Sequence, residues 1–236
     1  MSGRLTIVPT PVGNLEDMTL RGIRALKECD FILAEDTRTS ARVMKEYGIT
    51  APMVPYHLNN EHKVVDGLVS RISESPQGAC IVTDAGTPGI SDPGYLLVRA
   101  CIDAGLEVTC LPGATAFVPA LVASGLPSDR FHFEGFLPPK KGRQTKLIEA
   151  AERPVTTIFY ESPLRLVRLL EEICEMIGPD RLVVVARELS KLHETFHRGT
   201  AQELLEYFTT NPPLGEIVVL VAPAPKKEKE HKNKFL

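Results

Sequence analysis

The sequence has 236 residues, of which 43% are hydrophobic and 24% charged, and its formal net charge is −3. This composition is ordinary for a globular protein with one large or two small domains, and the small charge gives no global attraction to nucleic acid. No apolar run reaches the length of a membrane span, and the N-terminus lacks the pattern of a signal peptide, so we expect a cytoplasmic protein without a membrane partner.

The first half of the chain alternates short apolar runs with amphipathic segments. Such alternation predicts parallel strands joined by helical crossovers, with the loops that follow the strands gathered along one edge of the sheet. The predicted strands cover residues 5–8, 31–34, 79–82 and 107–111, and the predicted helices include 20–29, 61–72, 95–104 and 117–122.

The loop after the third of these strands has the sequence DAGTPGISDPG, residues 84–94. Its glycines can adopt positive φ and let a ligand approach the main chain, while Pro88 and Pro93 stiffen its path. The carboxyl edge of a parallel sheet is where α/β proteins bind ligands. We therefore expect a ligand to bind against this loop, although a rigid connecting turn has the same composition.

A polar, turn-rich run, SGLPSD at residues 124–129, predicts a domain boundary. We expect an N-terminal α/β domain over 1–125, a C-terminal α/β domain over 126–224 and a basic, disordered tail over 225–236. The second domain has predicted strands at 131–136, 156–160, 182–186 and 217–222, and predicted helices at 140–152, 163–177 and 201–208.

Common short motifs give little support for metal or phosphate chemistry. The run HETFH, residues 193–197, has the HExxH pattern of zinc peptidases, but Thr195 and Phe196 favour a strand and no third ligand has the right spacing, so we predict no metal site. The chain has neither a GxxxxGK[ST] loop nor a GxGxxG loop after its first strand. Glycine loops with few basic residues suit an adenosine compound without phosphates.

A set of motifs resembles the ribosomal RNA branch of the tetrapyrrole methylase superfamily, the class III S-adenosylmethionine-dependent methyltransferases. In chain order these are PVGNLEDMT, AEDTRTS, DAGTPGISDPG, LPGATA, FYESPLR, ARELSKLHET and GEIVVLV. The resemblance extends to about Pro223 and leaves only the tail outside. It implies two α/β domains with S-adenosylmethionine in the cleft between them, and 2′-O-methylation of a cytidine in the decoding region of 16S ribosomal RNA.

The resemblance also implies particular site residues. The cofactor contacts are Asn14, Asp84, Ala85, Thr87, Thr115 and Ala116 in the first domain and Tyr160, Glu161, Leu189 and Ala222 in the second. Methyl transfer to a hydroxyl needs a group that orients the oxygen and removes its proton. The candidates are Lys191, His193, Glu35 and Arg38. Arg38 has the alternative of a simple ion pair with a neighbouring carboxylate.

Basic residues after a Pro-Pro turn form the predicted RNA contact, namely Lys140, Lys141, Arg143 and Lys146. They suit a phosphate clamp, and the alternative is a solvated helix face. Other readings remain open: a methylase of a tetrapyrrole-like or protein acceptor, a zinc peptidase, and a non-catalytic RNA-binding assembly factor. The expected partners are small-subunit ribosomal RNA within the assembled subunit and, by resemblance, a second copy in a homodimer.

Overall fold

The structure is a computed structural model that describes residues 3–225, so the predicted tail lies outside the described residues from 226 onward. The described chain forms two compact α/β units, as expected from the sequence. One unit runs to Ala116 and includes Ser190–Leu192, and the other comprises Phe117–Leu189 and the chain from His193 onward. Within the described range, no helix is long and apolar enough to cross a membrane.

The first unit contains a five-stranded sheet in the order β3-β2-β4-β1-β5, and every neighbouring pair is parallel. Its strands are β1 (Arg4–Ile7), β2 (Phe31–Ala34), β3 (Met53–Pro55), β4 (Ala79–Val82) and β5 (Glu107–Cys110). Its helices are α1 (Leu20–Glu28), α2 (Thr37–Glu46), α3 (Glu61–Glu74) and α4 (Tyr95–Asp103). The sequence analysis did not predict β3.

Side chains on the two faces of this sheet pack into separate apolar cores. Leu5, Phe31 and Ile81 face one core with residues of α3 and α4, while Ile32 and Val82 face the other with residues of α1 and α2. Helices therefore cover both faces, which explains why β2 and β4 are buried at every position instead of alternating.

The second unit contains a mixed sheet in the order β6-β7-β10-β8-β9. Its strands are β6 (Phe131–Phe136), β7 (Thr156–Glu161), β8 (Leu182–Arg187), β9 (Thr195–Thr200) and β10 (Ile217–Val221). Its helices are α5 (Phe117–Ser124), α6 (Arg143–Glu152), α7 (Leu166–Met176), preceded by a 3₁₀ turn at Pro163–Arg165, and α8 (Ala201–Thr210). Residues of α6, α7 and α8 share one apolar core with the sheet.

The division between the units falls at Ala116 instead of the predicted residue 125. The reason is α5, which packs on β8 and β10 and so belongs to the second unit. The turn-rich run after α5 leads directly into β6 and is internal to that unit.

Candidate active site

Three loops at the carboxyl edge of the first sheet are joined by hydrogen bonds. Thr10, after β1, and Gly86, after β4, exchange two main-chain hydrogen bonds of 2.8 and 3.0 Å. The Thr10 hydroxyl donates to the Thr83 carbonyl at 2.9 Å. Thr87 then reaches the loop after β5, where its hydroxyl donates to the Ala114 carbonyl at 2.9 Å and lies 2.6 Å from the Thr115 hydroxyl. These bonds hold Thr87 and Thr115 together, as a shared site requires.

Gly86 has a backbone conformation and surroundings that suit close approach of a ligand to the main chain. Its φ is +87°, and a Cβ added there would meet nothing closer than the Ala114 carbonyl oxygen at 3.9 Å. Gly113 differs, because a Cβ on it would lie 2.6 Å from Cβ of Pro9. A Cβ at Gly86 would therefore make only an ordinary van der Waals contact, whereas Gly113 is required by close packing between two loops.

The remaining predicted residues of this unit occupy the same loops. Asn14 is exposed and caps a 3₁₀ turn, Leu15–Asp17, by accepting a 3.1 Å hydrogen bond from Glu16 N–H. Ala85 and Ala116 are half-buried beside Gly86 and Thr115 in sequence. Asp84 is exposed, and its carboxylate accepts a 3.2 Å hydrogen bond from the main chain of Asp36, which ties the loop after β4 to the loop after β2.

Carboxylates gather at this edge and shift one another's pKa. The Thr83 hydroxyl donates to Glu35 at 2.6 Å. Burial raises the pKa of Asp92 to about 6, with the negative charges of Glu35 and Asp84 adding to the effect. Partial desolvation likewise raises the pKa of Asp84. The sequence analysis did not select Asp92, although its position in SDPG, within the glycine loop, was a usable signal.

Arg38 lies in the first turn of α2 and forms an ion pair. Its guanidinium contacts both carboxylate oxygens of Asp36, at 3.2 and 3.0 Å, and this pairing lowers the pKa of Asp36 to about 2. The Arg38 side chain is nevertheless 90% exposed. It therefore keeps hydrogen-bonding capacity toward solvent at the same edge as Glu35.

Glu161 and Arg143 form a buried ionic cluster in the second unit. Glu161 contacts Arg165 at 2.6 Å and Arg143 at 3.5 Å, and Arg143 also contacts Glu172 at 2.7 Å. The side chains of Glu161 and Arg143 are 0% and 2% exposed. The prediction that Arg143 binds RNA phosphate is therefore wrong, because its charge is neutralised inside the unit. The Glu161 carboxylate is likewise enclosed, so only its main chain remains for a ligand.

Strand directions separate Ala222 from the other predicted cofactor residues of this unit. Tyr160 and Glu161 end β7, and Leu189 follows the end of β8. Since β10 is antiparallel to both strands, its first residue, Ile217, pairs with Glu161, while Ala222 N–H donates to Leu182 at the start of β8. Ala222 thus lies at the opposite edge of the sheet, and the structure does not bring it together with Tyr160, Glu161 and Leu189.

The turn before β10 lies beside Leu189, and the sequence analysis did not select it. Gly215 has a φ of +89°, and a Cβ there would collide with the Glu188 carboxylate. That carboxylate accepts a 2.9 Å hydrogen bond from Glu216 N–H, and Glu216 O accepts one from Glu188 N–H at 2.9 Å. Gly215 and Glu216, the first two residues of the motif GEIVVLV, could have indicated this turn from the sequence.

Residues 188–194 connect β8 to β9 and contain the candidates Lys191 and His193. Glu188 and Ser190 adopt positive φ, +54° and +63°, which is uncommon for residues other than glycine. Backbone strain of this kind is typical of functional loops. The exposed His193 accepts a 3.4 Å hydrogen bond at its carbonyl from Arg187, which fixes the loop at its base.

The predicted RNA-binding segment retains two exposed cations. Lys140 and Lys141 are exposed in the turn before α6. Lys146 instead pairs with Glu134 at 3.1 Å and Glu149 at 3.7 Å, and its side chain is 42% exposed. Any phosphate contact from this segment therefore comes first from Lys140 and Lys141.

HETFH does not form the helix that an HExxH zinc site requires. Thr195–Thr200 is strand β9, and the His197 ring packs against the rings of Tyr207 and Phe208, with centroids 4.9 and 5.0 Å away. His193 precedes the strand. Among the described residues, no cluster of three or more histidine, cysteine or carboxylate side chains is arranged to hold a metal ion.

Residues 4–205 match the family model of the tetrapyrrole (corrin/porphyrin) methylases. The chain belongs to this family. It is 45% identical over 96% of its length to the ribosomal RNA small subunit methyltransferase I of Synechocystis sp., covering 81% of that protein. The proteins of the same name from Escherichia coli O157:H7 and Thermotoga maritima are 47% and 44% identical over 93% of this chain, which spans 77% and 98% of their lengths.

Solved structures confirm the fold of this family member. A diphthine synthase superposes with a TM-score of 0.74 at 16% identity, covering 93% of this chain and 90% of that one. The uroporphyrin-III-C-methyltransferase of Thermus thermophilus gives a TM-score of 0.64 at 19% identity, covering 93% and 94%. The expected tetrapyrrole methylase-like α/β fold is therefore correct.

Proposed function

We propose that this chain uses S-adenosylmethionine to methylate the ribose 2′-oxygen of a cytidine in the decoding region of 16S ribosomal RNA. The observation that carries the proposal is the 44–47% identity to proteins named ribosomal RNA small subunit methyltransferase I, which extends over 93–96% of this chain. AEDTRTS in the first unit and FYESPLR in the second, together with ARELSKLHET around the loop 188–194, are the motifs that point to the ribosomal RNA branch.

The residues of the first unit fit the proposed cofactor. Gly86 has a positive φ and no side chain, which suits close approach of a ligand to the main chain, and Thr87 and Thr115 place hydroxyl groups in the same loops. S-adenosylmethionine carries a positive sulfonium centre and no phosphate. The carboxylates of Glu35, Asp36 and Asp84, on the neighbouring loops, favour such a cation. Tyr160 and Leu189 are the contacts proposed from the second unit.

The bound cofactor supplies an activated methyl group, whose transfer leaves a neutral thioether. The protein must then orient the 2′-hydroxyl and accept its proton. Lys191 is proposed to orient the 2′-hydroxyl. Glu35 and His193 are the proposed proton acceptors. Asp92 joins them, because a pKa of about 6 lets it exchange a proton near neutral pH. Arg38 remains protonated and is proposed to orient the RNA through its exposed guanidinium.

The proposal also includes the RNA substrate, the oligomeric state and the cellular compartment. Lys140 and Lys141 contact phosphates of the small-subunit RNA within the assembled subunit. The protein acts in the cytoplasm, where such subunits are found, and forms a homodimer, a state that rests on the family resemblance.

The decisive experiment incubates purified protein with labelled S-adenosylmethionine and small ribosomal subunits from cells that lack the corresponding gene. We expect label in 16S RNA, and mass spectrometry of nuclease fragments should locate it on the ribose of one cytidine. Heat-denatured protein and large subunits are the controls. Label on a base, in ribosomal protein or in a small acceptor would refute the proposal, as would subunit binding without methyl transfer.

A further inference from the structure

A cavity of about 270 Å³ opens in the second unit. One wall is Arg187 and Thr195, which pair across β8 and β9, together with His197 of β9. The other wall is the end of α8, with Tyr207, and the segment that follows it as far as Leu214. We call this space the Arg187 cavity.

The local sequence explains why the cavity exists. Helix α8 ends at Thr210, and Asn211 closes it by donating from both its main chain and its side chain to the Tyr207 carbonyl, each at 2.9 Å. Pro212 and Pro213 cannot continue the helix, so the chain leaves the helical path after Asn211. A gap remains between the edge strand and this turn, and Arg187 extends into it.

Arg187 is held in a fixed orientation at the base of the cavity. Its guanidinium donates to the Thr195 hydroxyl at 3.3 Å, to the Leu214 carbonyl at 3.1 Å and to the His193 carbonyl at 3.4 Å. Burial, with the positive charge of Arg187, lowers the pKa of His197. Arg187 therefore places a positive charge in the cavity, which favours an anionic group.

The opposite wall is aromatic and accessible. The Tyr207 ring lies 4.9 Å from the His197 ring and 5.0 Å from the Phe208 ring, and Tyr207 remains 44% exposed. Leu214 is 77% exposed beside it. Exposed aromatic rings next to a cation provide the combination that binds single-stranded nucleic acid, because bases stack on the rings while the backbone contacts the cation. The volume lies just below the ~300 Å³ at which ligand pockets begin, so it suits no more than one nucleotide.

The position of the cavity connects it to the proposed reaction. The loop 188–194 connects Arg187, at the end of β8, to Thr195, at the start of β9. Lys191 and His193 lie in this loop. A nucleotide held at Arg187 would be anchored one hydrogen bond away from the main chain of His193.

We propose that the Arg187 cavity binds one unpaired nucleotide of the RNA substrate, with its phosphate at Arg187 and its base against Tyr207 and Leu214. This rests on the proposed RNA methyltransferase function and adds a nucleotide subsite to it. The subsite positions the RNA and contributes no reacting group.

The test is a magnetic resonance titration of the full chain, without methyl transfer, that follows the ring signals of His197 assigned with His197→Gln. Cytidine 5′-monophosphate should shift these signals saturably and raise the pKa of His197 by about half a unit, because a phosphate anion stabilises the protonated ring. Cytidine and inorganic phosphate, each lacking one half of the ligand, should bind more weakly.

Variants on both walls test the assignment. Arg187→Gln should weaken binding of the mononucleotide by about ten- to a hundredfold, the value of a charge-assisted hydrogen bond. Tyr207→Leu, which keeps an apolar contact with Phe208, should weaken it by about tenfold through loss of stacking. Arg99→Gln removes the same charge from a surface ion pair with Asp103 in the first unit and should change nothing.

Two results would overturn the inference: no saturable shift of the His197 signals, or equal responses to cytidine 5′-monophosphate and inorganic phosphate. Neither depends on catalysis. A wild-type protein that methylates subunits but fails this titration would refute the subsite alone. A protein that binds the mononucleotide but methylates no RNA would refute the proposed function.

Discussion

Gly86 and Gly48 adopt similar left-handed conformations, with φ of +87° and +61°, in different parts of the first unit. A Cβ at Gly48 would meet no atom within 4 Å, and a Cβ at Gly86 would meet only one, at 3.9 Å. Alanine at either position therefore carries the same backbone strain, about 1 kcal/mol, without a collision. Only Gly86 belongs to the loop that we propose lies against S-adenosylmethionine.

We predict that Gly86→Ala lowers affinity for S-adenosylmethionine at least tenfold, about 1.4 kcal/mol, while Gly48→Ala leaves it unchanged. Calorimetry measures the affinity, and urea unfolding should show that both variants lose stability similarly. Equal affinity in the two folded variants would remove Gly86 from the cofactor site. Gly113 is unsuitable for this test, because its Cβ would collide with Pro9 and alter the loops themselves.

Asp92 gives a prediction about pH. Its pKa is raised from an ordinary value of 3.8 to about 6, so the folded protein binds more protons than the unfolded chain between these values. The wild type is then stabilised as the pH falls from 6 to 4, and it carries an unfavourable buried charge above 6. Asp92→Asn cannot ionise.

We therefore predict that Asp92→Asn is more stable than the wild type at pH 8, and that the difference shrinks as the pH falls through 6 and vanishes near 4. Urea unfolding at several pH values measures this. Asp103→Asn, which removes a carboxylate from a surface ion pair, is the control and should show no such gain. A variant that is less stable than the wild type at pH 8 would mean that the Asp92 carboxylate is favourably paired.

At the scale of elements, α6 is attached to the second sheet by Arg143 in its first turn. Removing one member of a buried ionic cluster leaves the other charges unpaired, which typically costs about 3–5 kcal/mol. We predict a loss of about 3 kcal/mol for Arg143→Met, near the lower end of this range because Glu161 keeps its contact with Arg165. The control, Lys141→Met in the exposed turn before the helix, should change stability by no more than about 0.5 kcal/mol.

Urea unfolding measures both variants, and similar small losses would show that the cluster contributes little. The comparison also separates folding from RNA binding within one basic segment. The sequence pattern assigned RNA binding to the whole run, since Lys140, Lys141 and Arg143 are indistinguishable by charge.

Elements with strong local patterns were predictable from the sequence. Buried strands such as β2 and β4 appear as continuous apolar runs, and α3 and α4 follow helical spacing. Strand β9 was indicated only by the strand preference of Thr195 and Phe196, because its sequence TFHRGT alternates weakly and it pairs with β8 through tertiary structure. Only tertiary packing reveals that α5 belongs to the second unit.

The candidate site was predictable only in part, for the same reason. Thr87 and Thr115 lie in loops that must meet once the sheet is parallel, so motif order sufficed to pair them. Predicting the location of Ala222 would have required knowing that β10 is antiparallel to its neighbours. The Arg187 cavity could not be predicted from the sequence, because it is formed by the turn after α8. No spacing rule places that turn beside β9.

At the scale of the whole molecule, RNA binding and chemistry should separate in kinetics. Lys140 and Lys141 are proposed to contact phosphates in both the ground state and the transition state, so their loss affects binding alone. We predict that the double variant Lys140→Ala with Lys141→Ala raises KM for the small subunit, leaves kcat unchanged at saturation, and reduces the slope of log affinity against log salt by about 1.5. Lys27→Ala with Lys63→Ala removes the same charge from exposed positions of α1 and α3 and is the control.

A residue that orients the 2′-hydroxyl or accepts its proton should behave in the opposite way. We predict that Lys191→Ala or His193→Ala lowers the single-turnover rate on saturating subunit by about 10²–10⁴ with little change in RNA affinity, because the contact is gained only in the transition state. Cofactor affinity, measured separately, controls for distortion of the loop 188–194. If neither variant slows the chemical step by more than a few-fold, proton removal belongs to the carboxylates of the first unit. Glu35→Gln should then produce the loss, since Glu35 accepts the Thr83 hydrogen bond at the edge that also carries Asp92.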